Sequence, residues 1–388
     1  MESFLEKMNR LLIVTTIGST LRSFLLPFAY HFRSQGWQVD GIAKGVSTYP
    51  ECLQAFDRIL EIEWSRNPLD PRNFMATLRV IKEAIAEGQY DIVHVHTPVA
   101  AFMSRYALKD LRKQGKCLVI YTAHGFHFHR GGKPLKNAIF LTLEKLAGAW
   151  TDYLVVINRE DELAAKRHRL LPEDRIRYMP GIGVDLNYYN PNAVSESEVA
   201  RVRQELGITK ETPLFLTVAS FDPGKRHRDL IPAFAALNRP EVHLALAGPG
   251  SISRVEEMRQ LASDLGVKER VHFLGRRRDI PTLVRASVAT ILVSEREGLP
   301  RSLLESLSLE TPRIGPQIRG IQELLEGGCG LLVEVGDRKG LAEAMAWMLA
   351  HPEDVQAMGK RGRERMADYD LQQILKLHED LYVQAMNQ

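Results

Sequence analysis

Hydrophobic positions follow two alternating rhythms along this chain. Unbroken aliphatic and β-branched runs are separated by stretches in which apolar residues return every three or four positions. The run at 10–17, Arg-Leu-Leu-Ile-Val-Thr-Thr-Ile, lacks polar alternation, as expected of a parallel strand covered on both faces. Gly18-Ser19-Thr20 follows, then a helical pattern over 21–34, Gly36 and a second strand over 38–43, which together make a βαβ opening. The same reading predicts strands at 91–96, 117–121 and 153–157. Helices are expected at 71–88 (Phe74, Leu78, Ile81 and Ile85 on one face), at 99–114, at 135–150 and beyond Asn158. Strands alternating with helices predict a doubly wound parallel sheet.

The rhythm breaks at Pro180-Gly181-Ile182-Gly183-Val184-Asp185, and 188–197 is irregular, so an interdomain linker is expected there. A second alternation starts at 213–219 and continues through strands at 243–247, 271–274 and 289–293. Two α/β halves of similar size predict a cleft, with ligands bound at the carboxyl ends of the strands. Residues 371–386 form a last amphipathic pattern, with Leu371, Ile374, Leu375, His378 and Leu381 on one face.

Composition narrows the class. The 388 residues are 45% apolar and 26% charged, an ordinary globular balance, and a net charge of +3 is too small to imply nucleic acid. Cys52, Cys117 and Cys329 lie far apart, which suits a reducing cytosol and argues against a disulfide framework or a thiolate metal site. The apolar run at 11–17 is too short to span a bilayer, and the acidic residues before it do not fit a signal peptide. The expectation is a cytoplasmic protein, dissolved or held at the inner face of the membrane.

The candidate chemistry centres on 294–305. Glu297 follows the apolar run 289–293, Gly298-Leu299-Pro300 comes next, and a helical pattern runs from Arg301 to Glu310. Glu305 lies eight positions after Glu297. Continuous helical geometry would separate the two by roughly 80° of rotation and about 12 Å of rise. Carboxylates accept hydrogen bonds from hydroxyls, and helix N-termini attract phosphate. A nucleotide sugar carries both groups, although the spacing alone suits a solvated helix start equally well. The loop Gly18-Ser19-Thr20 reads either as a place for a phosphate to approach the backbone or as a plain turn. His124, His127 and His129 follow the strand 117–121; three imidazoles raise the question of zinc, but no further ligand is spaced to complete such a site.

Taken together, Glu297-x7-Glu305, the Gly-rich block over 315–336, the loop His124-Gly125-Phe126-His127-Phe128 and the segment Pro180–Asp185 resemble the retaining glycosyltransferases of family 4. The His124 loop is similar to the branch that builds capsular and exopolysaccharide glycans. The resemblance covers nearly the whole chain and implies the GT-B fold, two Rossmann-like domains facing a cleft. It places an acceptor domain at 1–185 with the returning helix 371–388, and a donor domain at 195–370. It implies that Glu297 contacts the donor sugar, Glu305 the ribose, Lys225 the diphosphate and His124 the reacting sugar. Glu297, Lys225 and His124 would be the catalytic set. The donor is expected against Gly18, Ser220, Arg226, Gly298, Leu299, Pro300, Arg301 and Glu305. One departure stands out: the family's diphosphate-binding Arg is Ser220 here, and Arg226 is the expected substitute. No cofactor is implied beyond the nucleotide sugar, with UDP as the expected nucleotide, and no metal, since Lys225 and the helix start would hold the diphosphate.

Arg130, Lys133, Lys136, Lys109, Arg112, Lys113 and Lys116, with Phe126, Phe128 and Phe140, make the first half locally basic. This is either a solvated face or a surface that meets anionic lipid carrying the acceptor. The alternatives are an epimerase of the same architecture, a phosphorylase (no pyridoxal-phosphate lysine motif is seen), a non-catalytic sugar-binding protein and a dehydrogenase, which would need a GxGxxG after a strand.

Overall fold

A computed structural model of the chain describes residues 8–64, 71–129 and 131–388, and the backbone alone at 71–76 and 78, so the expected positions of Phe74 and Leu78 lie outside the described side chains. The chain divides into two units, residues up to Ile182 with Gln373–Gln388, and Gly183–Gln372.

The first unit holds strands β1 (Arg10–Ile17), β2 (Gln38–Lys44), β3 (Arg58–Glu61), β4 (Ile92–His96), β5 (Leu118–Ala123), β6 (Tyr153–Val156) and β7 (Ile176–Tyr178). They pair in parallel as β3-β2-β1-β4-β5-β6-β7. Leu11, Leu12, Ile13 and Val14 of β1 are sealed on both faces, as their unbroken run requires. The second unit holds β8 (Leu214–Val218), β9 (His243–Ala247), β10 (Val271–Gly275), β11 (Ala289–Ile291), β12 (Arg313–Pro316) and β13 (Gly330–Val333). Their order, β10-β9-β8-β11-β12-β13, repeats the plan of the first sheet without its last strand. In each unit the strand order reverses beside the first strand, and ligand sites of such sheets form at the carboxyl ends there.

Four strands escape the sequence pattern. β3, β7, β12 and β13 are three or four residues long, and β12 carries Arg313 and Pro316. The helix expected at 21–34 forms with a π-turn at Leu21–Leu25 between Gly18–Thr20 and Leu26–Ser34. The helix Leu371–Met386 lays Ile374, Leu375, His378, Leu381 and Tyr382 against the first unit, where Tyr382 stacks on Phe32 with centroids 4.8 Å apart; Leu371 itself is half-buried. Among the described residues no helix is long and apolar enough to cross a membrane.

Candidate functional site

In the second unit two loops meet at the carboxyl edge of the sheet. One follows β8 and carries Lys225; the other follows β11 and carries Glu297. The Glu295 N–H donates to the Gly224 carbonyl at 2.9 Å, and Lys225 Nζ reaches Glu297 Oε1 at 2.5 Å. The second loop is braced from behind by the Gly-rich block. Gly320 has φ +75°, and a Cβ there would lie 1.8 Å from the Gly298 carbonyl, so only glycine allows this approach. Gly298, Leu299 and Pro300 then lead into the helix Arg301–Ser308, with Pro300 as its N-cap. Glu297 therefore lies outside the helix, and the separation estimated from continuous helical geometry does not apply.

Glu305 is 8% exposed. Tyr189 donates its hydroxyl to Glu305 Oε1 at 2.6 Å, and Arg301 Nε lies 2.9 Å from the same oxygen. Oε2 has no hydrogen bond among the described residues, nor does Glu297 Oε2, so each carboxylate has one acceptor oxygen without a protein donor. Burial pushes the Glu305 carboxyl up from its usual range, against the pull of Arg301 and Tyr189. Arg363 secures the Tyr189 segment by donating to the carbonyls of Leu186, Tyr189 and Ser308. Below the helix, Thr290 and Ser306 share a hydrogen bond of 2.6 Å, and Ser306 donates to the Thr311 carbonyl.

Arg313 of β12 is 1% exposed. Its Nη2 donates to Ser302 Oγ at 3.2 Å, and its Nε has no partner. Burial lowers its pKa to about 10, while the Glu297 and Glu305 carboxylates oppose that shift. Neither Arg313 nor Tyr189 was singled out from sequence. A charge inside a short run between a helix and a Gly-rich block was the available signal for Arg313; nothing local marked Tyr189.

Two expected donor contacts are otherwise engaged. Arg226, expected to replace the missing arginine, gives Nε to Asp229 at 2.6 Å and Nη1 to Glu295 at 2.8 Å. Its charge is met by one carboxylate of the helix His227–Ala236 and one of the loop after β11, as that of Lys225 is met by Glu297. Ser220 donates to Asp222 at 2.7 Å, and Asp222 also holds Arg254 at 2.8 Å. Gly18 belongs to the first unit, and its lack of a side chain is explained by packing: a Cβ would lie 2.6 Å from Val46 Cα.

The first unit presents imidazoles at the carboxyl edge of its own sheet. His124 leaves the end of β5, and its Nε2 lies 3.0 Å from Nδ1 of His96, the last residue of β4. His96 stacks on His94 at 4.2 Å, and His94 shares hydrogen bonds with Thr122, at 2.7 Å, and with Tyr382. Burial lowers the pKa of all these rings; His124 and His378 fall to about 4, so the row is neutral at pH 7. Beside His96, Thr97 has φ +64°, a strained conformation for a β-branched residue, held by hydrogen bonds from the Thr16 N–H at 3.0 Å and with the Thr16 hydroxyl at 2.7 Å. Asp161 fixes the loop after His124 by accepting from the Phe126 N–H at 3.2 Å. Among the described residues no group of three or more His, Cys, Asp or Glu could hold a metal ion.

Known proteins share this architecture. Residues 198–365 match the family described as Glycosyl transferases group 1, and 24–188 match Glycosyltransferase Family 4. "Putative glycosyltransferase EpsD" of Bacillus subtilis (strain 168) is 32% identical over 98% of this chain and 97% of its own length. This chain belongs to glycosyltransferase family 4. The transferase is also 25% identical, over 80% of its length and 79% of the relative's, to an Escherichia coli UDP-Gal:alpha-D-GlcNAc-diphosphoundecaprenol alpha-1,3-galactosyltransferase. The Anabaena protein Alr3699/HepE, solved with UDP and glucose, superposes with a TM-score of 0.80 at 18% identity, covering 97% of the transferase and 100% of the other chain. The fold of the transferase is GT-B, as the family resemblance implied.

The expected membrane face is only partly as anticipated. Phe126 and Phe128 are buried, Arg112 is tied to Asp152 at 2.9 Å, and Arg130 lies outside the described residues. A feature not read from sequence stands beside them. On the helix Pro134–Gly148, Leu135, Ile139 and Leu146 are 76%, 50% and 51% exposed. At 100° per residue they fall on one stripe, with Lys136 and Lys145 on opposite flanks.

Proposed function

We propose that the transferase moves a hexosyl or N-acetylhexosaminyl group from a nucleoside-diphosphate sugar to a hydroxyl acceptor, with retention of configuration, in the building of a surface glycan. The observation that carries this is the edge of the second unit. There Glu297 and Glu305 each keep a carboxylate oxygen open, with Lys225 and the start of the helix Arg301–Ser308 beside them. Glu305 Oε2 takes the ribose hydroxyls, and Tyr189 and Arg301 fix its rotamer through Oε1. Glu297 Oε2 takes hydroxyls of the donor sugar. UDP is the nucleotide named for two of the similar proteins, and we assign it here.

In the reaction the bond between the anomeric carbon and the diphosphate oxygen breaks, and the acceptor oxygen bonds to that carbon on the same face. The acceptor proton passes to the departing diphosphate. Negative charge grows on the leaving group, where Lys225 and the helix start oppose it, so no divalent ion is needed. His124, neutral and aligned by His96, offers a hydrogen bond to the reacting sugar.

A panel of nucleotide sugars in a thermal-shift assay tests the donor: a ligand at 100 times its Kd adds about 2.7 kcal/mol of stability. Glu305→Ala should weaken every nucleoside-bearing ligand. A panel without a shift, or a Glu305→Ala protein that binds as the parent does, would reject the assignment. Activity that vanishes on chelation and returns with magnesium would reject the metal-free mechanism.

For the acceptor we propose a lipid-linked glycan met at an anionic bilayer. The stripe Leu135, Ile139 and Leu146 has the apolar face, and Lys136 and Lys145 the flanking charge, of a helix lying in a lipid interface. Vesicles containing phosphatidylglycerol should sediment the protein, and pure phosphatidylcholine should not. Equal recovery on both would remove this reading.

A further inference from the structure

The diphosphate site lacks one cation. Ser220 stands where the second positive charge was expected, and Arg226 is held by Asp229 and Glu295. An arginine with capacity to spare nevertheless lies directly behind the same site. Arg313 is 1% exposed, yet its Nε has no partner and its sole hydrogen bond among the described residues goes to Ser302 Oγ at 3.2 Å. A buried guanidinium carries up to five donors, and a buried one left unmet, here Nε, is costly. Such a cost is hard to justify by packing, because an aliphatic residue would fill a strand interior with no polar debt.

Ser302 shows where the charge is used. It is the second residue of the helix Arg301–Ser308 and half-exposed, and its oxygen accepts from Arg313. Its hydroxyl proton has no acceptor among the described residues. A hydroxyl whose oxygen accepts from a cation becomes a stronger donor through its proton. That donor stands at a helix N-terminus, where the backbone dipole already favours an anion.

Building on the donor reading above, we propose that Arg313 is the missing cation of the diphosphate site. It never touches the ligand. It acts through Ser302, whose hydroxyl donates to the diphosphate, and its buried charge adds to that of Lys225 at the edge of the sheet. Arg313 is thus a positioning residue, and the same charge offsets the two nearby carboxylates, Glu297 and Glu305.

The test compares UDP with uridine, which lacks the diphosphate, by calorimetric titration of the full-length chain and its variants. Arg313→Leu should weaken UDP about tenfold, within the range of a helix-terminus charge effect at a partly buried site, and leave uridine unchanged. Ser302→Ala should produce a similar loss, and the double variant should lose no more than either single one. Arg313→Lys should restore part of the affinity. Thermal unfolding is a separate readout: Arg313→Leu removes the charge that offsets Glu297 and Glu305 and should lower the melting temperature, whereas Ser302→Ala should leave it nearly unchanged. A purely structural arginine would instead weaken UDP and uridine together, which would overturn the inference. So would equal UDP affinity in the parent and in Ser302→Ala, a result that stands even if Arg313→Leu fails to fold. A parent chain that binds none of UDP, GDP, ADP or dTDP would reject the donor reading itself, and the role of Arg313 with it.

Discussion

The two units share one strand plan and treat charge in opposite ways. At the carboxyl edge of the first sheet, His94, His96 and His124 form a stacked, neutral row. At the matching edge of the second sheet, Glu297, Glu305, Lys225, Arg301 and Arg313 form a charged cluster, with two of its members almost wholly covered. Strand order therefore fixes where a site can form, and the residues following β4 and β5, or β8 and β11, decide its chemistry. Neutral rings suit a sugar surface that offers hydroxyls. Paired charges suit a ligand that carries a diphosphate and builds up charge as it leaves.

The largest expected effect falls on the charged edge. Glu297→Gln should lower kcat by about 10²- to 10³-fold, the size seen when a group aimed at the reacting centre is removed. UDP affinity should be nearly unchanged. Steady-state kinetics with a titration of UDP would show it, and a change in KM alone would move Glu297 away from the reacting sugar. Lys225→Met should follow, losing about 10²-fold in kcat and weakening UDP but not uridine; equal loss for both ligands would make Lys225 a loop brace instead.

Substitutions at the neutral edge should behave differently. His96→Phe should cost about tenfold in kcat, because His124 loses the partner that sets its tautomer, and should leave UDP binding alone. A nucleotide-binding defect in that variant would break the division of labour between the units.

Mild acid offers the smallest and most general test. His124 and His378 titrate at about 4 in the folded chain, against about 6.5 when unfolded. Below pH 6.5 the unfolded chain therefore binds the extra protons, and stability falls with pH, by about 1.4 kcal/mol per unit for each such ring. The second unit has one strongly shifted ring, His227, with smaller downward shifts at His243 and His272. Its buried Glu305 has a raised pKa, so that burial cost is relieved as the pH drops. Hydrogen exchange between pH 7.5 and 5 should show the first unit opening before the second. Simultaneous opening would mean that the imidazole row carries no such burden.

Much of this was legible in the residues, for reasons that differ from place to place. The unbroken run at β1 could only be a covered parallel strand, and the order of alternation gave the sheet type. β12 and β13 were hidden because Pro316, Gly315 and Gly330 sit where strand residues were needed, and their pairing is fixed by neighbours distant in sequence. Glu297, Glu305 and Lys225 could be found because they fall in local patterns. Tyr189 could not, since it joins Glu305 from 116 residues away. The ion pairs of Arg226 were not legible, because position in a motif says nothing about which carboxylates fold back onto it, here Asp229 and Glu295. The exposed stripe on Pro134–Gly148 was obscured for a similar reason: periodicity shows that a helix has an apolar face but not whether anything covers it.

The seam between the last helix and the first unit has a consequence for how the protein is made. Tyr382 closes on His94 across 288 residues, and Phe32 stacks on the same tyrosine. A ribosome thus emits the first sheet long before the piece that caps it. During that interval Phe28, Phe32 and His94 face solvent or a chaperone, while the second unit has all its strands available to fold. The first unit to begin synthesis is the last that can be completed, so a chain released early would carry a finished second unit and a first unit with an open, sticky flank that quality control could recognise.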